Sequence, residues 1–261
     1  MTSLVKHVDT AWHIFDAHAR EDIVVKPSMP ILYFGDSSGY FRSERKVVTV
    51  GLNPSYREFG SQSQGYTIGL RFPRASHIMT SRTTANEQFY ERYQQSLNQY
   101  FEANPYWTWF RNFEPLLSAL GSDYKSNSRT SGRALHTDIC SPLATNPTWS
   151  KLKAAERRQL SEDGLILWTD LVKELSPHVM LVSLGQKLRE SIITLFGQVE
   201  RFPDMFPENH LKKTTTYRTR IGGKRCFVAM GRSTDRGPFS TLTNEEKKQL
   251  GSRVEALASS P

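Results

Sequence analysis

Gly51-Leu52-Asn53-Pro54-Ser55 sets an asparagine directly before a proline and just after the β-branched run Val47-Val48-Thr49-Val50. A side-chain amide carries both a donor and an acceptor, so Asn53 has the chemistry to orient a water molecule or read the edge of a base. Pro54 removes a backbone donor and biases Asn53 towards an extended conformation, which would hold the amide at a strand end. The same residues also suit an Asx-type turn, in which the amide only bonds its own backbone. His136 and Asp138 form a second candidate set. Positions i and i+2 project from one face of a strand, where the pair would read a substrate, act as acid and base, or simply bond the loop that follows. The third candidate is the run from Met230 to Leu242, where Gly231, Arg232, Ser233, Arg236, Gly237 and Phe239 precede a helix. Hydroxyls, arginines and glycines there suit a loop that grips phosphates, with Phe239 or Arg236 as a wedge into a base stack. An ordinary solvated loop has the same composition.

Several classes of chemistry are absent from the pattern. The sequence has no phosphate-binding G-x-x-x-x-G-K-[ST], no dinucleotide G-x-G-x-x-G and no G-x-S-x-G nucleophile turn. Its two cysteines, Cys140 and Cys226, are too few for a four-cysteine metal site. They read as reduced core thiols of a cytoplasmic protein, and no metal or other cofactor is expected. No apolar run approaches the roughly 20 residues that span a bilayer, and no signal peptide is apparent. A formal charge of +8 and an isoelectric point near 9.5 favour a polyanionic partner, most simply nucleic acid. Arg201, Lys212, Lys213, Arg218, Arg220, Lys224 and Arg225 crowd one region and read as a phosphate-binding cluster.

The elements that must position these residues follow from periodicity. Apolar runs at Ile31–Phe34, Val47–Leu52, Ala134–Ile139 and Val179–Leu184 read as buried strands, and 214–221 with 224–230 read as a hairpin across Gly222-Gly223. Leu165, Trp168, Leu171, Val172 and Leu175 form a helical stripe stopped by Pro177, and Leu188, Ile192, Leu195 and Phe196 form another ending at Gly197. Thr84–Glu87 and Thr243–Glu246 match the capping-box pattern, the first opening a helix with the stripe Phe89, Tyr93, Leu97 and Tyr100. Residues 61–83 read as a long polar loop. Strands alternating with helices predict an α/β fold, a three-layer α/β/α sandwich around a mainly parallel sheet. A single domain over 1–261 is expected, with an inserted loop and helix at about 61–103.

Taken in order, these segments resemble the uracil-DNA glycosylase superfamily. Gly51-Leu52-Asn53-Pro54-Ser55 is similar to the Gly-x-Asn-Pro motif of its mismatch-specific uracil/thymine and single-strand-selective branches. Asn104-Pro105-Tyr106-Trp107-Thr108-Trp109-Phe110 resembles the helix-opening Asn-x-Phe-Trp segment of that group. Thr137-Asp138 through Pro142 falls where the family has a strand ending in Thr-Asn and a proline turn, and Val179–Gly185 matches its buried strand with a terminal glycine. The likeness runs over roughly residues 30–250 as short matches, of which Asn-Pro is the most specific. Gly231-Arg232-Ser233 departs from the His-Pro-Ser or Asn-Pro-Ser signature, and the stretch between Asn53 and Trp107 is unusually long. Both departures point away from plain uracil, towards a bulkier base such as glucosylated 5-hydroxymethylcytosine of phage DNA, and hence towards antiviral defence.

The resemblance implies a monomeric, monofunctional DNA glycosylase that flips a base and leaves an abasic site. Asn53 would position the attacking water and His136 would stabilise the departing base. Tyr56, Phe59 and Asp138 would contact the flipped base, while Ser55, Arg232, Ser233, Arg236 and Phe239 would contact DNA. No lysine follows the motif to act as a Schiff-base nucleophile. Two other readings stay open: a non-catalytic nucleic-acid-binding protein on the same scaffold, and an enzyme of free nucleosides, which would have no use for the basic cluster.

Overall fold

Val47–Gly51 is buried at every position, as expected of a strand covered on both faces, where alternation gives way to a continuous apolar run. The computed structural model describes residues 4–81, 87–125, 130, 132–209, 212, 214–234 and 236–259. In chain order the elements begin with α1 (Val5–His18), α2 (Ser37–Arg42), β1 (Val47–Gly51), β2 (Gly60–Ser61), β3 (Gly65–Tyr66), α3 (Ala75–Ser81) and α4 (Glu87–Asn98). They continue with α5 (Trp107–Phe110), α6 (Glu114–Ala119), β4 (Ser122–Asp123), β5 (Gly132–Asp138), α7 (Ala154–Leu175) and β6 (Val179–Leu184). The last are α8 (Gln186–Leu195), β7 (Glu200–Phe202), β8 (Thr215–Ile221), β9 (Lys224–Arg232) and α9 (Asn244–Ser259). The protein is thus α/β, and its chain forms two compact units interleaved in sequence.

One unit comprises Ser37–Gly51, Trp107–His136 and Leu175–Pro261. It holds nearly all of the seven-stranded sheet, in the order β4-β5-β1-β6-β9-β8-β7. β1 runs parallel to β6 and β6 parallel to β9, so Val50, Val182 and Met230 lie in one row near the carboxyl ends of the three strands. β8 and β7 then add an antiparallel margin. The hairpin expected across Gly222-Gly223 is present: Ile221 pairs with Lys224, and both glycines have positive φ, 57° and 80°, as a type I′ turn requires. Thr243 and Glu246 form a reciprocal capping box at α9. The Glu246 amide donates to Thr243 Oγ1 at 3.2 Å and the Thr243 amide to Glu246 Oε2 at 2.8 Å.

The other unit comprises Met1–Asp36, Leu52–Tyr106 and Thr137–Glu174. Its core is aromatic. Trp12 packs on Phe89 and Tyr93, and Phe72 packs on Phe34, Phe59 and Tyr100. Phe89, Tyr93, Leu97 and Tyr100 are all buried, as their spacing requires. Two expectations fail. Residues 31–34 are buried but form no strand, because their backbone serves loops instead, as when the Ile31 amide donates to the Pro142 carbonyl. Residues 61–81 are not a structureless loop, since they contain the β2–β3 ribbon and α3. Thr84, Ala85 and Asn86 of the first capping box lie outside the described residues. Among the described residues no helix is long and apolar enough to cross a membrane.

Candidate functional site

The chain leaves β1 at Gly51, and from Leu52 it runs alongside residues 140–145, bonded to them at intervals. The Cys140 amide donates to the Leu52 carbonyl, the Thr145 amide to the Pro54 carbonyl and the Tyr56 amide to the Thr145 carbonyl. This ladder fixes the asparagine turn, and the Asn53 side chain is clamped within it. Its Nδ2 donates to the carbonyls of Pro54 (2.8 Å) and Leu143 (3.3 Å) and to Thr145 Oγ1 (3.0 Å). Two of the three partners are carbonyls, which only accept, so the amide has one permitted orientation. Oδ1 must point the other way. Among the described residues nothing donates to it, and the residue is half-buried. An oriented acceptor without a protein donor is what holding a water molecule requires.

α7 supports the other side of this arrangement. Gly164 lies inside the helix, where glycine costs about 1 kcal/mol relative to alanine. A Cβ at this position would run into the backbone of Cys140 and Ser141. Glycine therefore allows α7 to back the segment whose Leu143 and Thr145 hold Asn53. Gly164→Ala is expected to destabilise the protein by about 1–3 kcal/mol despite the better helix propensity, a loss that thermal melting would register.

Beyond Asn53 the chain forms a short 3₁₀ turn over Tyr56–Glu58. Ser55 caps it, its hydroxyl oxygen accepting from the Arg57 amide at 3.2 Å, a bond that uses a lone pair and leaves the O–H able to donate to a phosphate. Tyr56 keeps a half-exposed ring, 6.5 Å from the ring of Tyr66 on β3. Tyr66 is held in turn by Asn146, whose Nδ2 donates to its hydroxyl at 2.8 Å. Tyr56 therefore remains able to stack on a base. Phe59 does not: it is fully buried and stacked on Phe72 at 5.7 Å. It points inward because the 3₁₀ turn that leaves Arg57 exposed carries Glu58 and Phe59 into the core.

Glu58 is the residue that sequence reasoning missed. Its carboxylate is buried, accepts from Tyr100 Oη at 2.6 Å, and lies 3.7 Å from Arg71 Nε. Burial raises its pKa from 4.5 to about 7. Tyr100 and Arg71 work against that rise, and the nearby charge of Asp138 adds to it. Tyr100 Oη also accepts from the Tyr106 amide, and Arg71 donates to the carbonyls of Arg57 and Asn104. Arg57 and Arg71 each lie over the Tyr106 ring, at 5.4 and 5.5 Å. One buried carboxyl thus ties the asparagine turn, the inserted stretch and the Asn104-Pro105-Tyr106 segment together. The only sequence signal for this was the richness of the inserted stretch in arginine and the tyrosines around it.

In the sheet-bearing unit, His136 is 1% exposed. Its Nδ1 is 2.8 Å from Thr49 Oγ1, which is 2.6 Å from Tyr124 Oη, and its ring packs on Phe110 and Phe113. As placed it is a core histidine with no surface to offer a base, a correction to its expected catalytic role. Asp138, two residues on, is half-buried. Phe239 is likewise not an exposed wedge. It is fully buried, packs on Phe113 at 5.9 Å, and its amide donates to Ser183 Oγ at 2.9 Å. A Cβ on Gly231 would collide with its ring, so that glycine makes room for Phe239 in the core. Thr234 and Gly237 close the loop through two backbone bonds. Arg232 and Arg236 are exposed and Ser233 half-buried, which leaves these three to reach a phosphate.

The basic cluster divides. Glu200 engages Arg218, Asp204 engages Arg201, and Glu246 engages Lys212, while Lys213 lies outside the described residues. Both cysteines are free and buried. Burial pushes the Cys140 thiol up to about 12 and the Cys226 thiol higher still. Among the described residues no three His, Cys, Asp or Glu side chains gather closely enough to hold a metal ion. No protein-family model and no curated protein sequence matches the chain.

Proposed function

We propose that the protein is a monofunctional DNA glycosylase, with 1–261 acting as one glycosylase-like three-layer domain and 61–103 as its insertion. The observation that carries this reading is the Asn53 amide. Three acceptors fix its nitrogen, which directs its carbonyl oxygen at a position that the protein leaves undonated. In the proposed reaction DNA is bound through its phosphates. The target nucleotide is extruded and its base stacks on Tyr56. The N-glycosidic bond breaks through an oxocarbenium-like sugar, and the water held by Asn53 Oδ1 adds to the anomeric carbon, leaving an abasic site. The proton from that water leaves to solvent, and the base departs with the bonding electron pair.

Tyr66 and Asn146, bonded to each other beside Tyr56, are polar groups that a sugar carried on a modified base would engage. Glucosylated 5-hydroxymethylcytosine is the candidate within that class. The experiment is to incubate the protein with DNAs carrying different bases and then cleave with alkali or an abasic-site nuclease. Strand scission at one type of base is the expected result.

Burial of His136 and Phe239 gives some weight to a second reading, a nucleic-acid-binding protein that releases no base. It differs in one readout: salt-sensitive DNA binding, unchanged by Asn53→Ala, with no scission on any substrate.

A further inference from the structure

The asparagine turn is followed by two arginines that meet over one ring. Arg57 lies 5.4 Å and Arg71 5.5 Å from the centroid of Tyr106, and Arg57 also lies 5.8 Å from that of Tyr56. With both within 5.5 Å of one centroid, the two guanidinium carbons are no more than 11 Å apart. Each is held in place. Arg57 Nη1 donates to Tyr106 Oη, and Arg71 donates through Nε to the Arg57 carbonyl at 2.9 Å and through Nη1 to the Asn104 carbonyl at 2.7 Å. All of these residues lie within Leu52–Tyr106, the segment that begins at the turn.

These contacts leave donors over. A guanidinium carries five N–H groups, and the bonds just described use one on Arg57 and two on Arg71. Arg57 also bonds the side chain of Tyr56, which with Tyr106 raises its pKa. More than half of the N–H groups of the pair are still unspent. Arg57 is exposed, and the Arg71 side chain is 15% exposed. The packing on Tyr106 thus fixes two cationic groups without exhausting their hydrogen-bonding capacity.

Little negative charge stands against them. Among the described residues Arg57 has no carboxylate partner, and the carboxylate near Arg71 is that of Glu58, 3.7 Å from Nε. Burial of Glu58 raises its pKa to about 7, so near neutral pH it cancels only part of the Arg71 charge. Two cations on one ring repel each other, and the face of the ring offsets part of that repulsion. An anion bound to both turns the repulsion into attraction. Planar guanidinium forks match the paired oxygens of a phosphate, which a point charge such as lysine does not.

We infer that Arg57 and Arg71, set on Tyr106, form a clamp for the phosphodiester backbone beside the base that stacks on Tyr56. The inference rests on the proposed function for the class of partner and for the place of that base. It assigns the positioning contacts of the asparagine turn to the inserted stretch, which would otherwise have no part in binding.

The test compares the full-length protein with Arg57→Gln and Arg57→Lys, and with Lys248→Gln as an equal loss of charge at another exposed position. Affinity for an unmodified duplex is measured by anisotropy over a salt series. Each phosphate contact contributes about 0.9 to the slope of log affinity against log salt. Arg57→Gln is expected to lower the slope by about 0.9 and to bind at least about threefold more weakly at low salt. Arg57→Lys, which keeps the charge, should restore the slope, and Lys248→Gln should leave it unaltered. Adding Arg71→Gln to Arg57→Gln should lower it by about 0.9 again. Equal slopes for wild type and Arg57→Gln would overturn the inference, as would an equal fall in Lys248→Gln. If the slopes differ as expected but no DNA loses a base, the clamp stands and the glycosylase reading falls. If bases are released and Arg57→Gln keeps the wild-type slope, the clamp alone falls.

Discussion

Asn53→Ala is expected to lower base release by at least about a hundredfold while leaving DNA affinity within about twofold. Removing a single oriented polar group that acts on the reacting atoms costs on the order of 10²–10³ in rate. The phosphate contacts are made by other residues and would persist. The substitution also removes the donor to Pro54, Leu143 and Thr145, which should cost about 1–3 kcal/mol of stability. Thr145→Val separates the two effects. It deletes one of the three acceptors around the amide nitrogen without touching Oδ1. A comparable loss of stability with activity falling less than about tenfold would place the catalytic effect on the Asn53 carbonyl. Equal losses of activity in both variants would mean that the turn, not the amide, matters.

Glu58→Gln is expected to flatten the pH dependence of stability between about pH 4.5 and 7. The buried carboxyl holds its proton up to about pH 7, whereas in the unfolded chain it ionises near 4.5. Across that interval the folded state binds more protons than the unfolded state, so stability falls as pH rises. The contribution is fully present below 4.5 and is lost as pH passes 7. A shift of this size is worth about 3 kcal/mol. Glutamine keeps an acceptor for Tyr100 Oη and cannot ionise, so the Glu58 contribution to the slope disappears. Arg71 retains its two carbonyl partners in the variant. Chemical denaturation at a series of pH values checks this directly, and parallel curves for the two proteins would refute it.

The sheet was readable where burial leaves a one-dimensional trace. Val179–Leu184 is apolar along its whole length because it is covered on both faces, and the Gly222-Gly223 hairpin follows from the positive φ its turn demands. Ile31–Phe34 carries the same apolar signal without forming a strand, since burial alone does not specify a ladder. The site divides along a similar line. Asn53 announces itself because an asparagine before a proline at a strand end is a local pattern. Glu58 does not, because its role depends on Arg71, Tyr100 and Asp138, which are distant in sequence and brought close by folding. His136 and Phe239 were misread for the converse reason. Their residue types suit chemistry, but packing against Phe110 and Phe113 removes them from solvent, and no local pattern carries that information. The inserted stretch read as a loop because polar, glycine-containing sequence is also what a short ribbon and a partly exposed helix use.

The most direct measurement is mass spectrometry of what the protein releases from a panel of DNAs carrying uracil, cytosine, 5-hydroxymethylcytosine or its glucosylated form, with wild type beside Asn53→Ala. The account calls for one free base, released by the wild type from a modified DNA, with an abasic site left behind and at least about a hundredfold less product from the variant. Absence of a free base from every DNA, or equal release by both proteins, would contradict it.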